Sequence, residues 1–339
     1  MTKKIGIALV GLGPGSEPHI ASLHALHDRV DWRWCVSRSG APQRQRLLPG
    51  STRLTTDLNE VLADAAVDAV VLATPANTHL AIARQVLAAG KHTLVEKPLD
   101  VSLERAEELV RIAEASKLCF GVVLQHRFRP GAVRLRELMA GGTLGELQAG
   151  MLQVPWWRSQ AGYYAKAGRG TRERDGGGVL LTQAIHSLDL FRSFVGVRKV
   201  VAAQVITTAL HTMETEDFVS ALLTLGNGAP GNLMATTAMY PGRTESIELV
   251  CTQANVSLVG GGLQVHYHDG RTEVVDGDAK TGSGDSIMDF APDAHIALHG
   301  DFLDAITHQR EPLVSGREAL LTHRLIEEIL SAGAEDPTR

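Results

Sequence analysis

With 339 residues, 44% of them apolar, the chain is long enough for two domains with a core each. A net charge near −5 excludes a general nucleic-acid binder, and no apolar run reaches bilayer-spanning length. The three cysteines, Cys35, Cys119 and Cys251, are too far apart for a zinc motif and are expected to be buried thiols. Residues 4–10 then form a short β-branched run. Met1-Thr2-Lys3-Lys4 leads directly into it, whereas a secretory signal would need a longer apolar stretch and a cleavage site; the odd, widely spaced thiols suit a reducing cytoplasm, the expected setting.

The run ends at Gly11-Leu12-Gly13-Pro14-Gly15-Ser16. A helical pattern through Ile20, Leu23 and Leu26 follows, with Pro18 in its first turn and Ser16 as its cap. Residues 32–36 read as a second strand and 59–66 as a helix. The apolar run 67–73 leads into Thr74-Pro75. A helix over 80–89 stops at Gly90, and a strand over 93–95 closes in Glu96-Lys97-Pro98. An amphipathic helix over 102–116 and a strand over 118–124 complete the alternation. Apolar strands alternating with helices predict a doubly wound parallel sheet, which binds ligands beyond the carboxyl ends of its strands.

Each motif in this half falls at such an end. The glycine turn follows G-x-G-x-x-G/A with Ser16 in the third place. Its glycines permit the tight turn and the approach of a pyrophosphate, and the Ser16 hydroxyl is expected to face phosphate. An acid at the end of the second strand would hold the ribose 2′-hydroxyl of NAD. Asp31 has about the usual separation from the turn, but it stands at the other end of the strand, about 20 Å away at ~3.3 Å per residue. The correct end reads Ser37-Arg38-Ser39. Arg38 can pair with a 2′-phosphate and stack on adenine while the serines donate hydrogen bonds. The expected cofactor is therefore NADP(H), with NAD(H) as the alternative. Lys97 ends an apolar strand, and Pro98 biases it away from helix. A strand-end lysine reaching into water is the commoner fate; the neighbouring motifs favour one that meets a ligand.

In the second half, residues 147–155 read as a strand, followed by Trp156-Trp157-Arg158, Tyr163-Tyr164 and Arg169-Gly170-Thr171-Arg172. Rings with polar tips suit the faces and hydroxyl edges of a carbohydrate, and arginines suit a carboxylate or phosphate. Core packing competes with that reading for the tryptophans; Tyr163, Tyr164 and Arg169 fit a pocket better. Runs over 218–225, 231–240, 245–251, 255–258, 263–268 and 272–275 read as successive strands with Gly and Asn turns. His295 and His299 have the i,i+4 spacing of a metal pair but lack a third ligand, so no metal is expected. The small polar stretch 281–285 reads as a loop.

The chain resembles the Gfo/Idh/MocA family of NAD(P)-dependent oxidoreductases nearly end to end. The resemblance rests on the Gly11 turn, Thr74-Pro75-Ala76-Asn77-Thr78-His79, the run 90–98 ending in Glu96-Lys97-Pro98, and the run 176–189 from Gly176-Gly177-Gly178 to His186 and Asp189. Asp301-Phe302-Leu303 and Glu311-Pro312-Leu313-Val314 also fit. It implies an N-terminal Rossmann domain (residues 1–123) that binds cofactor through Gly11, Gly13, Pro14, Gly15, Ser16, Ser37, Arg38, Ser39, Thr74, Pro75, Asn77, His79, Glu96, Lys97 and Gln125. It implies a C-terminal α/β domain (124–339) with a large, mostly antiparallel sheet that binds substrate and forms a homodimer or homotetramer. The substrate-facing set is Lys97, Arg127, Trp157, Tyr163, Tyr164, Arg169, Thr182 and His186.

The family's catalytic group is the motif lysine with an Asp-x-x-x-His pair. Lys97 and His186 match it, but Thr182 holds the aspartate position and cannot be a carboxylate partner. Asp189 is either an orienting partner of His186 or a helix-surface acid. The implied reaction interconverts a secondary alcohol and a ketone on a sugar, inositol or sugar-derived small molecule. The rival readings are a non-catalytic NADP-binding regulator on the same fold and a reductase of a non-sugar carbonyl.

Overall fold

The computed structural model describes residues 3–38, 42–277 and 291–334. Ser39 and the stretch 281–285 lie outside the described residues. The chain forms two compact units, Met1–Leu124 with Pro292–Leu321, and Gln125–Ala291 with Thr322–Arg339.

The first unit is built on β1 (Ile5–Val10), β2 (Val30–Val36), β3 (Arg53–Thr55), β4 (Ala69–Leu72), β5 (His92–Val95) and β6 (Phe120–Val122). They pair in the order β3-β2-β1-β4-β5-β6, parallel throughout, the order of a dinucleotide-binding sheet. Every residue of β4 is buried, as expected of a strand covered on both faces. The helices are α1 (Glu17–Ala25), α2 (Pro42–Gln45), α3 (Leu58–Ala63), α4 (His79–Ala88) and α5 (Leu103–Ser116). Asp57 caps α3 by accepting from the Asn59 N–H, and Ser102 caps α5 through the Arg105 N–H. α9 (Asp293–His308) returns from the far end of the chain to pack on α1.

The second unit carries α6 (Pro130–Ala140), α7 (Arg172–Asp175) and α8 (Ile185–Val195). Its strands are β7 (Leu147–Pro155), β8 (Val197–Ile206), β9 (Phe218–Leu225), β10 (Pro230–Thr236), β11 (Ser246–Cys251), β12 (Ala254–Val259), β13 (Gly262–Tyr267) and β14 (Thr272–Val275). The order is β14-β13-β12-β11-β7-β10-β9-β8, antiparallel except for the β7–β10 pair. Burial alternates along these strands because one face rests on α6 and α8. α10 (Gly316–Ala334) carries the division between the two units.

Two strands escape the sequence reading. β8 carries register shifts at Val197/Lys199 and Val200/Ala202 that erase its period of two, and β3 is a three-residue edge strand. The expected run 231–240 stops at Thr236, after which Ala238 makes only an isolated bridge to Trp157.

Candidate active site

The glycine turn sits where β1 ends. Gly11 has φ +104°, and a Cβ there would lie 2.4 Å from the Ala73 carbonyl oxygen, so only glycine fits. A Cβ on Gly13 or Gly15 would meet nothing within 4 Å, so the outer side of the turn is open to an approaching group. Ser16 departs from expectation. It is fully buried, and its hydroxyl donates to the Gly13 carbonyl at 2.7 Å, closing the turn instead of facing phosphate. Ser16 holds the cap position of α1 without a side-chain capping bond.

The Gly11 N–H donates to the Val36 carbonyl at 2.9 Å, which sets Ser37 and Arg38 beside the turn. Ser37 is buried and Arg38 exposed. Asp31 pairs with Gly6 at the opposite end of β2 and forms an ion pair with Arg33 at 2.8 Å. Arg44 pairs with Glu17.

Thr74, Pro75 and Asn77 form the turn after β4, with a 3₁₀ segment at Ala76–Thr78. His79 is fully buried. Its Nδ1 lies 2.9 Å from the Pro98 carbonyl and its Nε2 2.9 Å from the Thr74 carbonyl. It is a strut joining two motif loops rather than a group open to a ligand. Asp100, also fully buried, accepts from the Leu80 and Val101 N–H groups and from Arg105, bracing the loop that follows the cis Lys97–Pro98 bond. Lys97 is half-buried at the end of β5, and its backbone N–H donates to Glu96 Oε2 at 3.0 Å.

In the second unit the run 176–189 is shaped by Glu216. Its carboxylate accepts from the Gly178 and Leu180 N–H groups at 3.0 and 3.2 Å. A Cβ on Gly178 would lie 1.8 Å from the Glu216 carbonyl, which explains the glycine. Burial pushes the Glu216 carboxyl up, with these hydrogen bonds opposing. A π-type turn at Leu180–Ala184 leads into α8. Thr182 Oγ1 lies 2.6 Å from the Gly178 carbonyl and against Gln183 Oε1. His186 is buried, its ring tilted 31° over His126 at 4.9 Å.

Asp189 is not a helix-surface acid. It is fully buried and receives Arg127 Nε and Nη2 at 2.6 and 2.7 Å, with Thr322 Oγ1 at 2.8 Å. Arg127, expected to face substrate, is buried and engages its guanidinium in this ion pair. Gln125 keeps a buried Oε1 with no hydrogen-bond partner among the described residues, an acceptor available to a ligand.

The aromatic cluster divides. Trp156 is core, its Nε1 donating to Glu245, which also holds Arg129. Trp157 is half-buried between Tyr240 and His211, with ring centroids at 5.5 and 5.9 Å. Tyr163 and Tyr164 meet edge to face at 4.9 Å, and Tyr164 Oη bonds Thr237 Oγ1. Tyr163 Oη accepts from Gln183 Nε2. Arg158 lies over Trp156, and Arg169 lies 5.0 Å over Tyr163 while pairing with Asp175. Burial pushes both tyrosine hydroxyls above their ordinary range.

The sequence reading gave no role to His126, Glu216, His211 or His19, because none stands in a spaced motif with its partner. Among the described residues no group of three or more His, Cys, Asp or Glu is arranged to hold a metal. The thiols are free, with Cys35 and Cys119 pushed up to about 12, chiefly by burial. No helix among the described residues is long and apolar enough to cross a membrane.

A parallel six-strand sheet with an open glycine turn at its carboxyl edge defines a dinucleotide-binding oxidoreductase domain. Residues 5–124 match the oxidoreductase family with an NAD-binding Rossmann fold, and residues 132–257 match the GFO/IDH/MocA C-terminal domain. The chain belongs to the Gfo/Idh/MocA family of oxidoreductases.

It is 31% identical over 262 residues to the UDP-N-acetylglucosamine 3-dehydrogenase of Acidithiobacillus ferrooxidans, covering 76% of each chain. It is 26% identical over 258 residues to the inositol 2-dehydrogenase of Rhizobium meliloti, covering 74% of this chain and 73% of that one. The WlbA dehydrogenase of Bordetella pertussis, solved with NADH and UDP-GlcNAcA, superposes with a TM-score of 0.82 at 27% identity over 98% of this chain and 97% of that one.

Proposed function

We propose that this protein is an NADP(H)-dependent oxidoreductase interconverting a secondary alcohol and a ketone on a sugar, inositol or sugar-derived substrate. The observation that carries the reading is the open Gly11–Ser16 turn with Lys97 at the end of the same parallel sheet. The names of the relatives, dehydrogenases of a sugar nucleotide and of inositol, support the substrate class. In this reading residues 1–123 hold the cofactor and residues 124–339 bind substrate and self-associate.

When bound, the nicotinamide supplies the hydride donor or acceptor. Gly13 and Gly15 would admit its pyrophosphate, Gln125 would offer an amide acceptor, and Ser37 and Arg38 would read the adenosine end. Lys97 exchanges the proton of the reacting hydroxyl, and His186 donates a hydrogen bond to that oxygen. Tyr163, Tyr164, Trp157 and Arg169 shape the substrate side, with Thr182 offering a hydroxyl in place of a carboxylate. The preference for the 2′-phosphate rests on Ser37 and Arg38 alone, since the WlbA relative was solved with NADH. Three free thiols suit a cytoplasmic setting.

An NADP⁺-linked screen over inositols, sugar acids, aldoses and sugar nucleotides, with Lys97→Ala as the blank, tests the activity. Turnover that survives in Lys97→Ala defeats the acid/base assignment. Fluorescence titration with NADPH and NADH tests the cofactor; tighter NADH binding defeats the NADP reading. Thr182 in place of an acid supports a second reading, a cofactor-binding regulator without turnover, which the same screen addresses.

A further inference from the structure

A chain of buried histidines lies beneath Glu96, and the proposed chemistry does not use it. His19, in the first turn of α1, is fully buried. Its Nε2 lies 2.9 Å from Glu96 Oε1, and its Nδ1 lies 2.9 Å from His299 Nε2 on α9. His295, one turn earlier on α9, sets its ring edge-on to His19 at 6.0 Å. A carboxylate only accepts, so His19 Nε2 carries a proton and donates it. The facing nitrogens of His19 and His299 then share one proton along their bond. They point at each other at hydrogen-bond distance rather than converging on a third point, so the cluster holds protons and not a metal. The other Glu96 oxygen accepts from the Lys97 backbone N–H at 3.0 Å. The series therefore runs from α9 through α1 to the main-chain N–H of Lys97.

We propose that His19, seated on His299, is a positioning residue for Lys97: it keeps the Glu96 carboxylate ionised and fixed against the Lys97 main chain, and so sets the proton affinity of the Lys97 amine. The inference deepens the reading of Lys97 as the acid/base and rests on it. Burial pushes the Glu96 carboxyl up. The His19 hydrogen bond, with the charges of His19, Lys97 and His295, outweighs that, and the group is held below the usual carboxylate range. Burial, helped by the charges of His19 and His295, drives His299 well below the usual imidazole range. The titratable groups acting on Glu96 are thus Lys97 beside it, His19 from α1 and His295 from α9, with His299 behind His19. Arg29, beyond the end of α1, pairs with Asp304 on α9 at 2.6 Å. Without His19 the part-buried carboxyl loses the hydrogen bond and the charge that favour its ionised form, and with them Lys97 loses part of the negative charge that favours its ammonium form.

The test needs neither substrate nor cofactor. The full chain is labelled with ¹³Cε-lysine and titrated by NMR, the Lys97 signal being assigned by its loss in Lys97→Arg. In His19→Phe the Lys97 midpoint falls by about half a pH unit or more, a threefold or larger change in its protonation constant. In His19→Gln, whose amide still donates to Glu96 but carries no charge, the fall is smaller than in His19→Phe. An unchanged midpoint in folded His19→Phe overturns the proposal, and so does an equal fall in Gln and Phe, which marks a packing effect. If His19→Phe fails to fold by circular dichroism, Glu96→Gln carries the test: a fall supports the proposal and an unmoved midpoint overturns it. A failed substrate screen defeats the enzymatic reading and leaves the midpoint shift standing; an unshifted Lys97 in an active enzyme defeats only this inference.

Discussion

Arg127 and Asp189 are locked by two parallel charge-assisted hydrogen bonds, 2.6 and 2.7 Å long, with side chains 5% and 0% exposed. Asp189 also accepts from Thr322 and lies near Arg192. Removing the guanidinium leaves a buried carboxylate short of its main partner. Arg127→Ala is expected to destabilise the second unit by ~3–5 kcal/mol, measured as a lower urea midpoint. The double change Arg127→Met, Asp189→Leu removes both charges and should recover most of that loss. A single variant as stable as the parent would show that the pair contributes little.

The two glycines of the N-terminal turn should fail in different ways. Gly11→Ala must hold φ +104° and push a methyl into the Ala73 carbonyl, so a loss of ~2 kcal/mol or more in stability is expected. Gly13 has φ −71° and ψ 177°, a conformation any residue adopts, with open space around it. Gly13→Ala should keep its melting temperature and bind NADPH at least tenfold more weakly, because the methyl occupies the approach to the turn. Thermal melts and cofactor titration on the same two samples separate the effects; a tight-binding Gly13→Ala would remove the turn from the cofactor site.

What the sequence disclosed follows from the length scale of each signal. The parallel sheet is legible because each strand and its ligand-facing turn are contiguous, as in β1 with Gly11. Most strands of the second unit are legible because one buried face enforces alternation, as at Ile247, Leu249 and Cys251. β8 is not, because its bulges break that period. At the site, Lys97 and His186 stand in local motifs, whereas their supports are remote. His19 meets Glu96 across 77 residues and His299 across 280. Glu216 reaches back 38 residues to the Gly178 N–H. Nothing in the local pattern of α1 distinguishes His19 from a polar surface residue, and Asp189, three residues past His186, reads as a helix-surface acid until the Arg127 pair is seen.

The acid limb of stability should carry a contribution from Asp64. Its Oδ2 accepts from Trp34 Nε1 at 2.8 Å and Arg33 Nε at 3.3 Å, and its Oδ1 from the Ala66 N–H at 2.8 Å. The Trp34 bond first, then the Ala66 bond, lowers the carboxyl to about 2. A folded-state value below the unfolded one, near 3.9 for aspartate, means the contribution is complete above about pH 4 and is lost as pH falls through about 2. Asp64→Asn should lower stability at neutral pH and flatten the decline between about pH 4 and 2. Denaturation midpoints across that window check the slope; parallel curves for variant and parent would contradict the assignment.

The open face of the eight-strand sheet sets the last expectation. Along β9 the residues Val219, Ala221, Leu223 and Leu225 are buried, while Leu222 points the other way and is 57% exposed. Leu222 pairs with Asn232, which pairs with Met151, which pairs with Glu248, so these four form a row across β9, β10, β7 and β11 on that open face. Val250 and Val259 on β11 and β12 and Val274 on β14 are also exposed. A mixed apolar face of this extent, on a sheet whose other side is packed, is suited to a second copy of the chain. We expect a homodimer or homotetramer by light scattering. Leu222→Glu faces its own copy across a symmetric interface, so it should shift the protein toward monomer at micromolar concentration without lowering the stability of the isolated unit, since Leu222 adds nothing to the core. A parent that is monomeric at the highest attainable concentration would rule out this face as the contact, and a Leu222→Glu variant with the parent's mass would move the contact elsewhere.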